Sequence, residues 1–249
     1  MNIDDVENPL NIPVTDYEMV VKIFEGQMAL IHKYEPIEAR NGAVIPTKVG
    51  EYAISMSDIQ WPAYSIDDSK VQARLKDMFW RATEELAEAF EFYPTYGEVE
   101  EGTSSSFRHC VEELIDAVHF MTEASIIAMV SPTDVARMAT KSFERSGLTA
   151  TSTLRRSLNP EAVASDPVAC DRMLWNTIRY LGLAANTLKN KPWKQSQMAT
   201  DAAMFRSMFL AAWYELFGII SFMGLSMKDV FIFYHKKHAV NQFRQRSNY

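Results

Sequence analysis

An all-α fold is what the sequence predicts, and three observations predict it. Apolar residues recur at helical spacing from Asp16 to the C-terminus, and alternating strand patterns are nearly absent. The 249 residues include only 9 Gly and 10 Pro, too few for a sandwich of sheets joined by tight turns. With 47% hydrophobic residues, the chain is long enough to bury a sizeable core, as one large domain or two small ones.

The elements follow in order. Val20, Ile23, Met28, Leu30 and Ile31 give Asp16 to Lys33 a helical period, and Asn41-Gly42, Pro46 and Gly50 then mark a loop. Asp67-Asp68-Ser69 opens a long helix that runs to about Tyr93, ended by Pro94, Gly97 and Gly102. A second helix covers Ser106 to Val130. A third starts at Ser131-Pro132-Thr133-Asp134, a capping-box variant with Pro at the first helical position. Residues 147–166 read as a Thr/Ser/Asn/Pro-rich loop. Three more helices follow, over Pro167–Lys189, Asp201–Met223 and Ser226–Gln242, and Ser226 to Asp229 repeats the capping-box spacing.

Charge and cysteine content narrow the function classes. A net charge of −7 argues against non-specific binding of a nucleic acid polymer, which needs a positive surface. Two cysteines, Cys110 and Cys170, cannot build a disulfide framework or a four-thiolate zinc site. Met1 to Leu10 is acidic and lacks the apolar stretch of a signal peptide. Met208 to Leu225 is apolar apart from Tyr214, Glu215 and Ser221, but a Glu in mid-membrane costs roughly 2–4 kcal/mol. A buried helix is the better reading, so no membrane partner and a cytoplasmic location are expected.

The repeated capping box points to an internal repeat. Sliding the chain by 95 residues pairs Met78/Met173, Trp80/Trp175, Leu86/Leu181, Ala89/Ala184, Ala117/Ala212, Ser131/Ser226, Asp134/Asp229, Val135/Val230 and Lys141/Lys236. These nine identities over 70 aligned pairs compare with about four or five from common residue usage. The order helix, helix, capped helix occurs in both copies. One helical domain over 1–249 is therefore expected, with an N-terminal segment (1–66), a first repeat (67–146), a loop (147–166) and a degenerate second repeat (167–249).

Two acidic motifs stand at matching places on the first two long helices, Glu85-x-x-Glu88 and Glu113-x-x-Asp116. Positions i and i+3 lie roughly 60° apart on a helix. With Glu85 as zero, Val71, Leu75, Met78, Phe79, Ala82, Leu86, Ala89 and Phe90 fall in an arc from about 20° to 140°. With Glu113 as zero, Phe107, Cys110, Val111, Leu114, Ala117, Val118, Met121 and Ala124 fill nearly the same arc. Packing the two arcs together brings their acidic borders face to face, where like charges repel unless a cation sits between them. All-oxygen donors suit Mg²⁺, or Mn²⁺, better than zinc. The bland alternative is a solvated helix edge, as assigned to Glu84, Glu91 and Glu112. A ferritin-like di-iron site needs two Glu-x-x-His pairs, and no His here lies three residues after a Glu.

The C-terminus is the one strongly basic stretch. Lys237, Asn241 and Arg244 share a helical stripe that suits a polyphosphate, with a solvated basic helix end as the alternative.

Together these residues resemble the dimeric all-α dUTPase/dCTPase family, relatives of the MazG-type nucleotide pyrophosphatases. Glu85-x-x-Glu88 and Glu113-x-x-Asp116, the latter followed by His119-Phe120, match the family's ExxE and ExxD metal motifs. Tyr234-x-x-Lys237-x-x-x-Asn241-x-Phe243-Arg244-Gln245-x-x-x-Tyr249 is similar to its final motif, roughly YxxKNxxNxFRQxxGY. His238 and Asn248 depart from that motif. Gln27 to Ile31 resembles the family's base-reading QxxLN, with Ile31 in place of Asn. Lys191-Pro192-Trp193-Lys194 resembles a family segment that normally lies between the acidic motifs, and here follows both.

The resemblance implies a helical bundle of the all-α nucleoside triphosphate pyrophosphatase type, a homodimer, and Mg²⁺-dependent hydrolysis of a pyrimidine deoxynucleoside triphosphate to monophosphate and pyrophosphate. Glu85, Glu88, Glu113 and Asp116 would hold the metal, and Glu85 would help deprotonate the attacking water. Gln27, Phe120, Tyr234, Lys237, Asn241, Arg244 and Tyr249 would bind substrate. Ile31 cannot hydrogen-bond a base, which leaves dUTP, dCTP and a modified pyrimidine triphosphate open. Two other classes remain at this point, a non-catalytic nucleotide-binding module and a structural helical protein. In the second repeat the four acidic positions pair with Tyr180, Leu183, Met208 and Ala211, all neutral.

Overall fold

The computed structural model describes residues 3–40, 52–56, 59–91, 103–146, 167–189 and 199–246. Seven α-helices dominate the described residues: α1 (Asp16–Arg40), α2 (Ser69–Glu91), α3 (Thr103–Ile127), α4 (Pro132–Ser146), α5 (Pro167–Thr187), α6 (Ala202–Phe222) and α7 (Met227–Arg246). The fold is an all-α bundle. A single 3-10 turn, Ile3–Asp5, precedes α1.

Two elements depart from expectation. Helix α1 continues past Pro36 to Arg40, although proline removes one helical hydrogen bond. Strands β1 (Tyr52–Met56) and β2 (Ile59–Pro62) pair antiparallel, with Met56 opposite Ile59 and a register irregularity between Tyr52 and Ser55. Such short segments carry too few residues for an alternating pattern to show. The predicted loops at 41–50 and 147–166 and the Lys191–Lys194 segment lie outside the described residues.

Capping chemistry sets the helix starts. The Asp68 carboxylate accepts from the Lys70 and Val71 amides at 2.8 and 3.2 Å, and Asp201 accepts from Met204 at 2.9 Å. Thr15 and Glu18 form a reciprocal capping box at α1, each side chain taking the other's amide at 3.2 Å. Both predicted boxes are present: Asp134 N donates to Ser131 Oγ at 3.2 Å, and Asp229 N to Ser226 Oγ at 3.3 Å.

Helices α2 and α3 run antiparallel. Arg74 near the start of α2 reaches Glu123 near the end of α3, and the Arg81 guanidinium lies 5.9 Å from the Phe120 ring centroid. Every residue of the two predicted arcs is buried except Phe90, which packs on the core from its edge. Helices α5 and α6 pair the same way, through Asn176 and Glu215 at 3.4 Å. Adding 95 to 81 and 120 gives 176 and 215, so the two hairpins touch at matching positions.

The turns after α3 and α6 share one backbone pattern. Ala128, Met129 and Val130 donate to Ala124, Ile126 and Ser125, and Met223, Gly224 and Leu225 donate to Ile219, Ser221 and Ile220, each 95 residues on. Met129 (φ 60°) and Gly224 (φ 81°) both adopt the left-handed conformation. The third helices cross over: α4 packs on α6, with Ser142 Oγ donating to the Tyr214 carbonyl at 3.1 Å, and α7 packs on α3. Helix α1 touches α3, α4 and α7.

Helix α6 is, among the described residues, the one long and apolar enough to cross a membrane, with a mean hydropathy of 1.3. Its Phe205, Phe209, Trp213, Leu216, Phe217 and Ile220 are instead buried in the core. Trp213 Nε1 there donates to Ser125 Oγ at 3.0 Å.

Candidate active site

The facing arcs of α2 and α3 bring three of the four predicted carboxylates together. Oxygens of Glu85, Glu113 and Asp116 lie within 4.8 Å of one another. Glu113 is buried, and Glu85 and Asp116 are half-buried. Glu88 sits outside this group and is exposed, as its angle further round the helix requires. Its charge still acts on Glu85.

The crowding shows in the proton affinity of Glu85. Burial chiefly raises it, followed by a hydrogen bond with Glu113 and the negative charges of Asp116, Glu113 and Glu88, up to about 8. Glu85 therefore holds its proton more readily than an ordinary carboxyl. The site thus meets the chemical requirement for a divalent cation: convergent, half-desolvated carboxylate oxygens with too little positive charge among them.

The positive charge that is present comes from α7. Lys237 is buried, and its Nζ lies 2.7 Å from Asp116 Oδ2 and 3.9 Å from Glu112 Oε2. The basic stripe and the acidic motif, separated by 121 positions (237 − 116), meet directly across the contact between α3 and α7. On the other side, His109 Nδ1 is 2.9 Å from Glu113 Oε1. Glu112 also faces Arg108 at 3.6 Å, so it is an ion-pair partner rather than the solvated face expected for it. Neither His109 nor Glu112 carries a sequence signal beyond helical i, i+4 spacing.

Gln27 is also buried. Its carbonyl oxygen accepts from the Tyr234 hydroxyl at 2.9 Å and faces His119 Nδ1 at 3.0 Å, and its amide donates to Glu123 Oε2 at 3.3 Å. Tyr234 stacks on His119 with ring centroids 4.0 Å apart. Burial leaves the His119 ring neutral far below its usual range and raises the Glu123 carboxyl, the latter partly offset by Arg74 and Gln27. Gln27 and Tyr234, two predicted substrate-binding residues, are thus joined through α1, α3 and α7. His119, Glu123 and Arg74 complete the network, and of these only His119 stands in a recognised motif.

The remaining predicted residues divide. Phe120 is half-buried, with Arg81 near its ring. Asn241 is half-buried one turn beyond Lys237. Arg244 belongs to α7, but its side chain, like Tyr249, lies outside the described residues.

The fold and site define a class: an all-α bundle whose acidic helix pair faces a basic C-terminal helix. A family model described as dUTPase matches residues 72–249, which takes in α2, the acidic cluster and the C-terminal helix. The chain belongs to this dUTPase family. No curated protein and no solved structure matches it.

Proposed function

We propose that this protein hydrolyses dUTP to dUMP and pyrophosphate with a divalent cation held by Glu85, Glu113 and Asp116. The observation that carries the reading is the meeting of three carboxylates with Lys237, 2.7 Å from Asp116, at one spot on the bundle. The donors are all oxygen, which favours Mg²⁺ and allows Mn²⁺, and Glu88 stands at the rim where a further ion would extend the site. A bound cation would supply charge neutralisation for the phosphates and a more acidic water.

The chain's own groups do the rest. Glu85 stands at the core border of the cluster and, as a free carboxylate once a cation offsets the charges of Asp116 and Glu113, is placed to take a proton from the water attacking the α-phosphorus as the bond to the β-phosphate breaks. Lys237 is bound to Asp116 only while that carboxylate lacks another cation; once it is neutralised, the ammonium is free to turn to a substrate phosphate. Arg244 and Asn241 extend the same helical face. The Gln27 oxygen is satisfied by Tyr234 and His119, and Glu123 takes one amide hydrogen, which leaves one N–H to donate to a base carbonyl. Ile31, one turn further along α1, offers no second polar group. dUTP is favoured by the family, dCTP is the runner-up, and Phe120 would offer the base an apolar face.

The 95-residue correspondence of hydrogen bonds and hairpin contacts, with the exchange of third helices, supports a duplicated helical unit whose second copy has lost the ligands. A cytoplasmic homodimer that binds no nucleic acid polymer and no membrane completes the proposal.

The test is pyrophosphate release from each deoxynucleoside triphosphate in the presence of Mg²⁺. Turnover is expected for dUTP above the others, and it should vanish on adding a chelator. Tight dUTP binding without any release would move the protein to the class of nucleotide-binding modules.

A further inference from the structure

A cavity lies beside the α3–α7 contact and is lined in part by the 3-10 turn. It measures about 570 Å³, within the range of small-molecule sites. Its floor is apolar, formed by Phe107, Val111, Leu225 and Ile3, all buried, with Ile232 and Phe233 on the α7 wall. Two cations, Arg108 and Lys236, stand among these residues.

The two cations differ in how they are engaged. Arg108 is engaged by Asp4, which also lines the cavity, and by Glu112 at 3.6 Å. Lys236 has no carboxylate partner among the described residues. The two neighbouring lysines diverge by about 100° around α7, so Lys237 turns to Asp116 while Lys236 turns to the cavity. Among the described residues, the cavity thus offers an apolar interior with one ammonium at its edge that no carboxylate pairs.

We propose that this cavity binds an amphipathic monoanion, a small molecule with an apolar body ended by a carboxylate. Its body would occupy the space above Phe107 and Val111, and its carboxylate would pair with Lys236. A phosphate monoester fits less well, because it brings close to two charges where, among the described residues, one cation lacks a carboxylate partner. The site is separate from the carboxylate cluster, and its ligand need not resemble the substrate.

Calorimetric titration of the full chain with decanoate, below its micelle concentration, tests this. One equivalent is expected to bind. Decanol, which has the same body without the charge, and the Lys236→Met variant with decanoate should each bind about tenfold more weakly, the loss of one charge-assisted contact. Ile232→Trp, which fills the cavity from its half-buried wall, should abolish binding, and circular dichroism of both variants checks that they fold. The proposal is overturned if decanoate does not bind the unmodified protein. It is equally overturned if decanol and Lys236→Met match decanoate and the parent, or if binding survives in a folded Ile232→Trp protein.

Discussion

The two helical hairpins touch through residues 95 positions apart and end in the same turn, yet among the described residues only one carries a cluster of carboxylates. In α2–α3 the positions beside the core hold Glu85, Glu113 and Asp116; in α5–α6 the corresponding ones hold Tyr180, Met208 and Ala211, all half-buried. The helix geometry is shared, so the chemistry lies in a few border residues and not in the fold. Helix α7, the third helix of the half without the cluster, returns Lys237 to the acidic half through the exchanged packing. The second half, although it carries no such cluster, thereby contributes a cation to it.

The largest expected effect separates the hairpins outright. Glu113→Ala should lower turnover of dUTP by more than about 100-fold, since even partners outside the ligand shell of metal sites cost 10–100-fold. Met208→Ala, at the corresponding place, should leave turnover within about twofold while costing at most a few kcal/mol of stability. Equal losses in the two variants would mean that the difference between the hairpins is not catalytic.

Next comes the link between the halves. Lys237→Met keeps the length of the stem and removes the charge. It should lower kcat/KM about tenfold or more, as expected for a lost contact to a phosphate. A normal kcat/KM would leave Lys237 with only its ion pairs to Asp116 and Glu112.

A pH experiment sharpens the contrast without substrate. Glu85 holds its proton up to about pH 8 in the fold, against an ordinary value of 4.5 in the unfolded chain. Between these values the native state binds the extra proton; the buried neutral rings of His119, His235 and His238 oppose this below about 6.5, so the metal-free protein should lose stability as the pH rises from about 6.5 to 8. Glu85→Gln should flatten that part of the Tm profile. A slope unchanged in the variant would place the proton elsewhere.

What was legible in the sequence was what one helix decides alone. The period of α2 and α3 placed their buried arcs and put Glu85 and Glu113 at the border, and the same angles account for Glu88 standing apart. Partnerships between helices were not legible. Lys237 with Asp116, Arg74 with Glu123, and Gln27 with Tyr234 depend on how α1, α2, α3 and α7 cross and rotate, which no single period encodes. Gln27 shows the limit well: the resemblance assigned it to substrate, but nothing in its surroundings in the chain announced three buried partners. The short strands escaped because five and four residues are too few for an alternating pattern to read.

The smallest expected effect lies in the two turns. Met129 and Gly224 occupy matching positions with φ of 60° and 81°, a region that costs a residue with a Cβ roughly 1–2 kcal/mol. The second half meets this with glycine, and the first tolerates methionine, half-buried against the core. Gly224→Ala should therefore destabilise the protein by about 1 kcal/mol in urea unfolding, from the backbone alone, because no atom lies within 4 Å of the added Cβ. Met129→Gly should recover part of that conformational cost but lose the side chain's packing, for a net change near zero. If Gly224→Ala is neutral while Met129→Gly is strongly destabilising, the left-handed turn is held by side-chain packing in both halves, and glycine at 224 is not there for its backbone.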